Sequence, residues 1–229
     1  MNVRLVSYSQ PTPEFCNLGI ADAQDLVAYC ARVSNPSNQF NTETSERLIR
    51  YLVRHKHWSP LEMVSVCLEI TTTRDIARQI LRHRSFSFQE FSQRYADPTR
   101  DLQFVTREAR LQDTQNRQNS IKLDTAGNLD HREIYQEWER RQLELIRRVR
   151  ENYQWAISAG IAKEQARAVL PEGLIESRMY MNGTLRSWIH FIELRSANGT
   201  QLEHQDVALE CARVIAEVFP MSAGFVDTN

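Results

Sequence analysis

The sequence predicts a helix-rich chain that also contains strands, a pattern that an α+β fold allows. Glycine and proline contribute 7 residues each to the 229 of the chain, about half of their usual combined share of roughly 12%. This scarcity indicates long regular elements and few loops. Apolar residues recur at helical spacing along much of the chain, and two segments alternate apolar and polar residues as strands do.

Two amphipathic helices and a strand are predicted in the first third of the chain. Apolar residues keep helical spacing within 22–33 and again within 48–53. Residues 61–73 alternate Val64, Val66 and other apolar side chains with polar ones, which predicts a strand.

A short helix is predicted directly after this strand. Thr72 and Asp75 have the spacing of an N-terminal capping box. The helix is expected to run into Arg82-His83-Arg84, and on it Gln79, Arg82 and His83 share one face.

The second half of the chain mixes long helices with one more strand. Residues 111–129 are polar and predict a loop or insert without assigned chemistry. A long helix follows over 130–158, and a short one leads to Arg167 before Pro171. Residues 174–181 predict a second strand.

Turn and cap residues predict two further helices near the C-terminus. Asn182-Gly183 predicts a turn, and Thr184 predicts the cap of a helix that buries Leu185 and Trp188. The run 200–203, Thr-Gln-Leu-Glu, predicts a capping box for the last helix.

Composition narrows the function classes and the compartment. The length suits a single domain, 1–229. The chain has 28 basic and 29 acidic residues, which give a net charge of -1. Because proteins that bind nucleic acids in general carry a basic excess, this balance disfavours that class. No apolar run approaches the roughly 20 residues of a spanning helix. The cysteines, which never form a CxxC pair, are expected to be reduced thiols in a cytoplasm: Cys16, Cys30, Cys67 and Cys211.

The segment 82–95 has the most unusual composition. It combines three arginines, a histidine, a glutamate and three serines with a phenylalanine stripe. Clustered guanidinium groups repel one another and require an anion, so the segment predicts a nucleotide-phosphate site. The alternative is a solvated face with salt bridges to Glu90.

Other polar residues also have alternative interpretations. A lone arginine on a short helix, such as Arg167, is usually a surface residue, and Arg195 is equally consistent with a residue that complements a helix C-terminus. His55 and His57 have a spacing that permits metal binding. Ser92 fits either a structural hydroxyl or a reactive one.

Several motifs together resemble the flavin-dependent thymidylate synthases. Arg82-His83-Arg84, seven residues and Ser92 match the RHR-x7-S signature of that family. The run 57–62 resembles its HxSPxE element, and 166–171 resembles its ARxVLP segment. Arg186 to Arg195, with Gln201 and Glu203, is similar to its C-terminal block. The likeness covers most of residues 50 to 219.

This resemblance implies an α+β fold with a mixed sheet flanked by helices, and a homotetramer whose active sites are shared between subunits. It implies that dUMP is bound by Gln79, Arg82, Glu90, Ser92, Gln93, Arg94, Arg167 and Arg195. It also implies FAD, without a GxGxxG fingerprint, at Ser59, Arg82, His83, Arg84, Glu90, Thr184, Leu185, Arg186 and His190.

The implied reaction is reductive methylation of dUMP to dTMP, with methylenetetrahydrofolate as carbon donor and NADPH as reductant through FAD. Because uracil C5 is a poor nucleophile, a cation at the ring edge would favour the enolate-like form, and Arg195 is our candidate. Ser92 is expected to position and polarise dUMP. No cysteine lies in a matching motif.

The chain departs from the family pattern at Met63, Gln89 and Gln93, where histidine, asparagine and glycine are common. Two other function classes stay open: an RNA- or nucleotide-binding regulator that uses the arginine-aromatic segment, and a metal hydrolase that uses His55, His57 and His83. No metal and no membrane contact are expected.

Overall fold

A four-stranded sheet forms the centre of the chain, of which the computed structural model describes residues 1–225. Its strands lie in the order β1, β2, β6, β3. A separate hairpin contains the remaining two strands. The bounds are β1 (Asn2–Tyr8), β2 (Ser65–Thr73), β3 (Ser87–Glu90), β4 (Arg110–Gln112), β5 (Ser120–Lys122) and β6 (Glu176–Thr184).

The helices differ widely in length, from four residues to the 30 residues of the helix over Leu129–Ser158. The α-helices are α1 (Pro13–Asn17), α2 (Ala23–Ala31), α3 (Ser45–Arg54), α4 (Arg74–Ile80), α5 (Pro98–Asp101), α6 (Leu129–Ser158), α7 (Lys163–Ala166), α8 (Leu185–Ser196) and α9 (Leu202–Ile215). Short 3-10 turns occur at Pro36–Asn38, Ser59–Glu62, Arg167–Val169 and Pro220–Phe225. The α+β class predicted from the sequence is confirmed.

The main core lies between one face of the sheet and helices α8 and α9. Val66, Leu68 and Ile70 alternate along β2 and are all buried, which is the period of a strand with one apolar face. Trp188 of α8 is fully buried, and its indole N–H donates to the Val66 carbonyl at 3.0 Å. This bond satisfies the polar atom of a large buried ring and fixes α8 against β2.

The sheet is antiparallel at all three of its pairings, so the mixed sheet implied by the resemblance is wrong in this detail. Asn182 and Gly183 do not form the predicted turn, because they continue β6 and pair with Cys67 and Val66. A side chain at Gly183 would collide with the Phe86 ring. Gly183 therefore leaves space for the Phe86 ring to pack against β6 and does not serve a turn.

One of the three predicted helix caps forms. Thr184 caps α8 by accepting the Ser187 N–H at 3.3 Å. Thr72 lies inside β2, and α4 starts after Thr73 without a side-chain cap. The Thr200 box is also absent, since Gln201 occupies the cap position without a side-chain bond. The acidic residues of the two capping boxes that do not form, Asp75 and Glu203, are ion-paired with Arg107 instead.

Other boundaries differ locally from the prediction. The predicted strand over 61–73 starts only at Ser65, after a 3-10 turn, and the predicted loop over 111–129 contains part of the β4–β5 hairpin. Strands β1 and β3 were not predicted.

The long helix is confirmed as α6, but its apolar residues Ile134, Trp138 and Leu145 are 43–47% exposed. Within residues 1–225, no helix has the length and apolar character needed to cross a bilayer.

Candidate functional site

One group of predicted site residues gathers where α4 ends beside α8 and α9. We call Gln79, Arg82, His83, Arg195 and His204 the histidine cluster. After Ile80 the chain continues as a helical turn, because Arg82 N–H donates to Gln79 O at 3.3 Å and His83 N–H to Ile80 O at 3.0 Å. Arg195, in the last turn of α8, donates its Nε–H to His83 Nε2 at 3.0 Å.

Burial and positive charge keep both histidines of this cluster neutral. Burial, with the charges of Arg195 and Arg82, lowers the pKa of His83 to about 4. Burial, with the charges of Arg195 and His83, lowers the pKa of His204 to about 3. A neutral His83 can accept from Arg195. Only the Nε–H of Arg195 is used in this bond, so its two Nη groups can address a ligand.

A chain of side-chain hydrogen bonds extends from Gln79 into α9. Gln79 Nε2 donates to Gln201 Oε1 at 2.9 Å, and Gln201 Nε2 donates to Glu203 Oε2 at 3.0 Å. His204 Nδ1 lies 3.2 Å from Gln79 Oε1. Glu203 is paired with Arg110, and Arg107 Nη1 lies 3.2 Å from its Oε1. This last contact is an ion pair rather than a directed hydrogen bond, because Nη1 has no acceptor in line.

A second group lies on the surface after β3. We call Ser92, Arg94, Glu164 and Arg167 the arginine cluster. Arg94 Nη2 and Glu164 Oε2 are 3.5 Å apart with both side chains more than half exposed. Arg167 Nε–H donates to the Glu164 carbonyl at 3.3 Å, and Ser92 Oγ accepts the Arg94 N–H at 3.4 Å. Such exposed pairs contribute little free energy, so the guanidinium groups can exchange partners readily.

Glu90 lies at a buried junction rather than in open solution. Its Oε1 accepts from Ser177 Oγ at 2.7 Å and lies 3.5 Å from Arg74 Nη1. The alternative of a solvated face with salt bridges to Glu90 is therefore wrong for this residue, whose cation partner is the buried Arg74. Gln93, next to the arginine cluster, is 3% exposed, and its Nε2 has no partner among the described residues.

The residues predicted to hold FAD gather partly around the N-terminus of α8. Arg186 forms an ion pair with Glu62, and the His190 ring stands edge-on to Trp58 with centroids 4.4 Å apart. Burial, with the charge of Arg186, lowers the pKa of His190. Ser59 starts the neighbouring 3-10 turn. Arg84 is exposed.

Leu185 is the weakest of these assignments. Its side chain is 1% exposed in the core, and its N–H donates to Val64 O at 2.9 Å. The side chain therefore has no surface for a flavin. Thr184 has its hydroxyl engaged as the α8 cap.

Within residues 1–225 the structure does not unite all predicted residues. No hydrogen bond or ion pair between described residues joins the two clusters directly. His55 and His57 stack around Tyr51, whereas His83 lies beside Arg195. No group of three or more His, Cys, Asp or Glu side chains in the described part could hold a metal, so the three histidines of the hydrolase alternative are not brought together.

Sequence reasoning missed several residues that organise these clusters: Arg74, Arg107, Glu164, Ser177 and His204. Arg74, Ser177 and His204 are buried, the Arg107 side chain is 15% exposed and Glu164 is exposed, and each acquires its polar partners only in the folded chain. The one signal available beforehand was proximity in sequence, since His204 follows Glu203 in the matched C-terminal block.

Comparison with known proteins decides the family. The profile of the family described as "Thymidylate synthase complementing protein" matches residues 18–221. The chain belongs to this family. The resemblance predicted from the motifs is thereby confirmed.

Relatives of this family match over nearly the whole length of the chain. A "Probable flavin-dependent thymidylate synthase" of Paramecium bursaria Chlorella virus 1 is 46% identical over 99% of both chains. A "Flavin-dependent thymidylate synthase" of a Synechocystis species is 42% identical over 99% of this chain and 100% of its own. The UMP/dUMP methylase PolB from Streptomyces cacaoi, solved with 5-Br dUMP, superimposes with a TM-score of 0.73. It is 26% identical over 98% of this chain and 93% of its own.

Proposed function

We propose that this member of the family is a flavin-dependent thymidylate synthase, an FAD-dependent methyltransferase that converts dUMP to dTMP. Methylenetetrahydrofolate supplies the carbon and NADPH the reducing equivalents. The observation that carries the proposal is the full-length similarity, 46% and 42% identity, to relatives of that name. The dUMP methylase neighbour supports the pyrimidine nucleotide as substrate.

The side chains around the α8 N-terminus fit a flavin nucleotide. Arg186 offers a cation in the first turn of the 12-residue α8, where the positive end of the helix dipole favours phosphate. Ser59 and His190 add polar groups beside this end of α8. Arg82, His83 and Arg84 would add further groups from the segment that follows α4, and Glu90 a carboxylate from the end of β3. Bound FAD would supply hydride transfer from NADPH. The residues named here would bind it and exclude water.

Arg195 is proposed to act at the uracil edge. Its Nε–H is held by His83 at 3.0 Å, so the orientation of the guanidinium plane is fixed before substrate binds. Burial, with the nearby charge of Arg82, lowers the pKa of Arg195, yet an arginine stays protonated at neutral pH. Its Nη groups would stabilise negative charge that develops on the uracil oxygens and so make C5 nucleophilic.

The arginine cluster is proposed to bind the dUMP phosphate. Among the described residues, Arg94 and Arg167 contact no buried carboxylate, and Glu164 contacts them only at exposed positions, through its side chain and its backbone carbonyl. A phosphate dianion would displace Glu164 because it accepts several charge-assisted hydrogen bonds at once. Ser92 would donate its hydroxyl proton to the nucleotide. The buried amide of Gln93, whose Nε2 has no partner among the described residues, would add a second donor nearby. Gln79, Arg82 and Glu90 would complete the dUMP site.

We further propose that residues 1–229 act as one catalytic domain within a cytoplasmic homotetramer whose active sites are shared between subunits. Two observations support sharing: no hydrogen bond or ion pair between described residues joins the two clusters within one chain, and apolar residues of α6 such as Trp138 are exposed. Co-expressing an Arg195→Ala chain with an Arg94→Ala/Arg167→Ala chain tests this idea. Mixed tetramers should regain dTMP formation at low dUMP, and failure to regain any activity would refute shared sites.

The function itself is tested by the purified protein. We expect it to be yellow with FAD near one per chain, to be bleached by NADPH faster with dUMP present, and to form dTMP from dUMP and methylenetetrahydrofolate. A colourless protein that takes up no FAD would refute the proposal. Tight RNA binding by such a protein would instead favour the regulator hypothesis.

A further inference from the structure

The amide of Gln79 can be turned in two ways, and its orientation decides whether it offers a donor or an acceptor to a ligand. Oxygen and nitrogen of an amide are distinguished by their hydrogen-bond partners. The partners of Gln79 are Gln201 and His204, both on α9 or at its start. Their own partners therefore determine which way Gln79 faces.

Glu203 determines which atom donates and which accepts in each hydrogen bond of the chain from Glu203 through Gln201 and Gln79 to His204. Burial would raise the pKa of Glu203, but hydrogen bonds from its backbone N–H and from Gln201, with the charges of Arg107 and Arg110, lower it overall. An ionised carboxylate only accepts. Gln201 must therefore turn its Nε2 toward Glu203, at 3.0 Å, and its Oε1 toward Gln79.

The orientation of Gln79 then determines which ring nitrogen of His204 carries the proton. Gln79 must donate its Nε2–H to Gln201 Oε1 at 2.9 Å, which leaves Gln79 Oε1 facing His204 Nδ1 at 3.2 Å. Two acceptors would repel one another there, so Nδ1 must carry the proton. The other ring nitrogen, Nε2, is then a bare lone pair, in agreement with a fully buried Nε2 that has no partner among the described residues.

We propose that Gln201 and His204 are positioning residues that lock the Gln79 amide as a hydrogen-bond donor, with the second Nε2–H free for an acceptor oxygen of dUMP. This role rests on the proposed function, because Gln79 is a substrate-binding residue only within it. The chain of bonds itself does not depend on the substrate. Without His204, the Gln79 amide could turn over and present its oxygen to another oxygen.

Matched substitutions at His204 separate positioning from packing. His204→Leu retains a side chain of similar bulk but removes the hydrogen-bond donor. His204→Asn places an amide N–H near the position of Nδ1. We expect His204→Leu to raise the dUMP Kd about fivefold to tenfold, the effect of one lost hydrogen bond, and His204→Asn to stay within about threefold of wild type. In a Gln79→Leu background, His204→Leu should add nothing.

The measurement is a dUMP titration of the FAD-loaded protein, followed by the flavin spectrum, with thermal unfolding to establish that each variant is folded. Equal loss of affinity in folded His204→Leu and His204→Asn would overturn the proposal. So would a loss that persists at full size in the Gln79→Leu background, since that would be a packing effect.

A second readout does not depend on the proposed function. In protein labelled with ¹⁵N-histidine, the His204 signal, identified by its absence from His204→Asn, should show the Nδ1–H tautomer without any substrate. An Nε2–H tautomer would refute the chain of bonds. A wild-type protein that shows the Nδ1–H tautomer but never binds dUMP would refute the proposed function and with it the role of Gln79, while the bonds themselves would stand.

Discussion

The histidine cluster and the arginine cluster are both built around arginines, but they hold them in opposite ways. Arg195 is half-buried and bonded to a neutral histidine at 3.0 Å. Arg94 is exposed and meets a carboxylate at 3.5 Å, with side chains 55% and 52% exposed. Because His83 is neutral, it orients Arg195 without cancelling its charge. Glu164 partly neutralises Arg94 as long as no other anion binds there.

For the proposed dUMP site, this difference predicts that the two clusters have different roles. An oriented charge at low dielectric is suited to stabilise charge that develops during a reaction, because it needs no reorganisation at that moment. Exposed, loosely paired arginines are suited to capture an anion already charged in solution. We therefore expect substitutions in the two clusters to change different kinetic constants.

The largest effect is expected at Arg195. A hydrogen bond to a charged group contributes roughly 1.5–3 kcal/mol, so Arg195→Ala should slow single-turnover dTMP formation by about one to two orders of magnitude. Arg195→Lys should rescue poorly, because it lacks the planar fork. Arg213→Ala, on an exposed side chain of α9, is the control. A saturated rate near that of wild type in Arg195→Ala would remove its assigned role.

The next largest effect is expected at Arg94 and Arg167, the two arginines proposed to bind the phosphate. Arg94→Ala or Arg167→Ala should raise the dUMP dissociation constant about tenfold and leave the saturated rate nearly unchanged, since phosphate binding is shared by ground and transition states. The control is Arg100→Ala, whose side chain is 85% exposed on the neighbouring α5. A large fall in the saturated rate with unchanged affinity would contradict this assignment.

The buried histidines should make stability depend on pH. With a pKa of about 3 for His204 and about 4 for His83, both stay neutral in the folded protein while the unfolded chain takes up protons below about 6.5. The free energy of unfolding should therefore fall as pH drops from about 6.5 to 4, by about 1.4 kcal/mol per pH unit for each proton.

Denaturant titrations at several pH values check this dependence. His204→Asn should reduce the pH dependence of the unfolding free energy by about one proton relative to wild type. An unchanged slope in His204→Asn would show that His204 titrates alike in both states.

The smallest effect is expected at Glu164. Because exposed ion pairs contribute about 0–1 kcal/mol, Glu164→Gln should free Arg94 and tighten dUMP binding by no more than about threefold. Isothermal titration at low salt measures it, and the gain should shrink as salt is added. Weaker binding would mean that Glu164 orients Arg94 for the phosphate instead of competing with it.

The sequence predicted the elements with strong periodicity, such as α2, α6 and the strand ending at Thr73. It missed β3, because Ser87–Glu90 is a short strand inside a segment whose charges dominated its interpretation. Both failed capping boxes have the right spacing, but distant Arg107 competes for their acidic residues. Long-range ion pairs of this kind cannot be read from local spacing.

The same limit applies to the site. The RHR-x7-S motif predicted Arg82 and Arg84, together with the neighbouring Arg94, as site residues because these lie close together along the chain. It could not reveal His204, which reaches Gln79 from a position 125 residues away. Nor could it reveal that Arg195 meets His83, a contact that exists only once α8 packs beside α4.

The most direct test of this division of labour compares dUMP with 2′-deoxyuridine, which lacks the phosphate. Single-turnover methylation of both would be measured for wild type, Arg94→Ala/Arg167→Ala and Arg195→Ala. With deoxyuridine, we expect the double variant to equal wild type, because no phosphate is left to bind, and Arg195→Ala to remain slower by about the factor seen with dUMP. A double variant still impaired on deoxyuridine, or an Arg195→Ala defect that vanishes with it, would contradict the account.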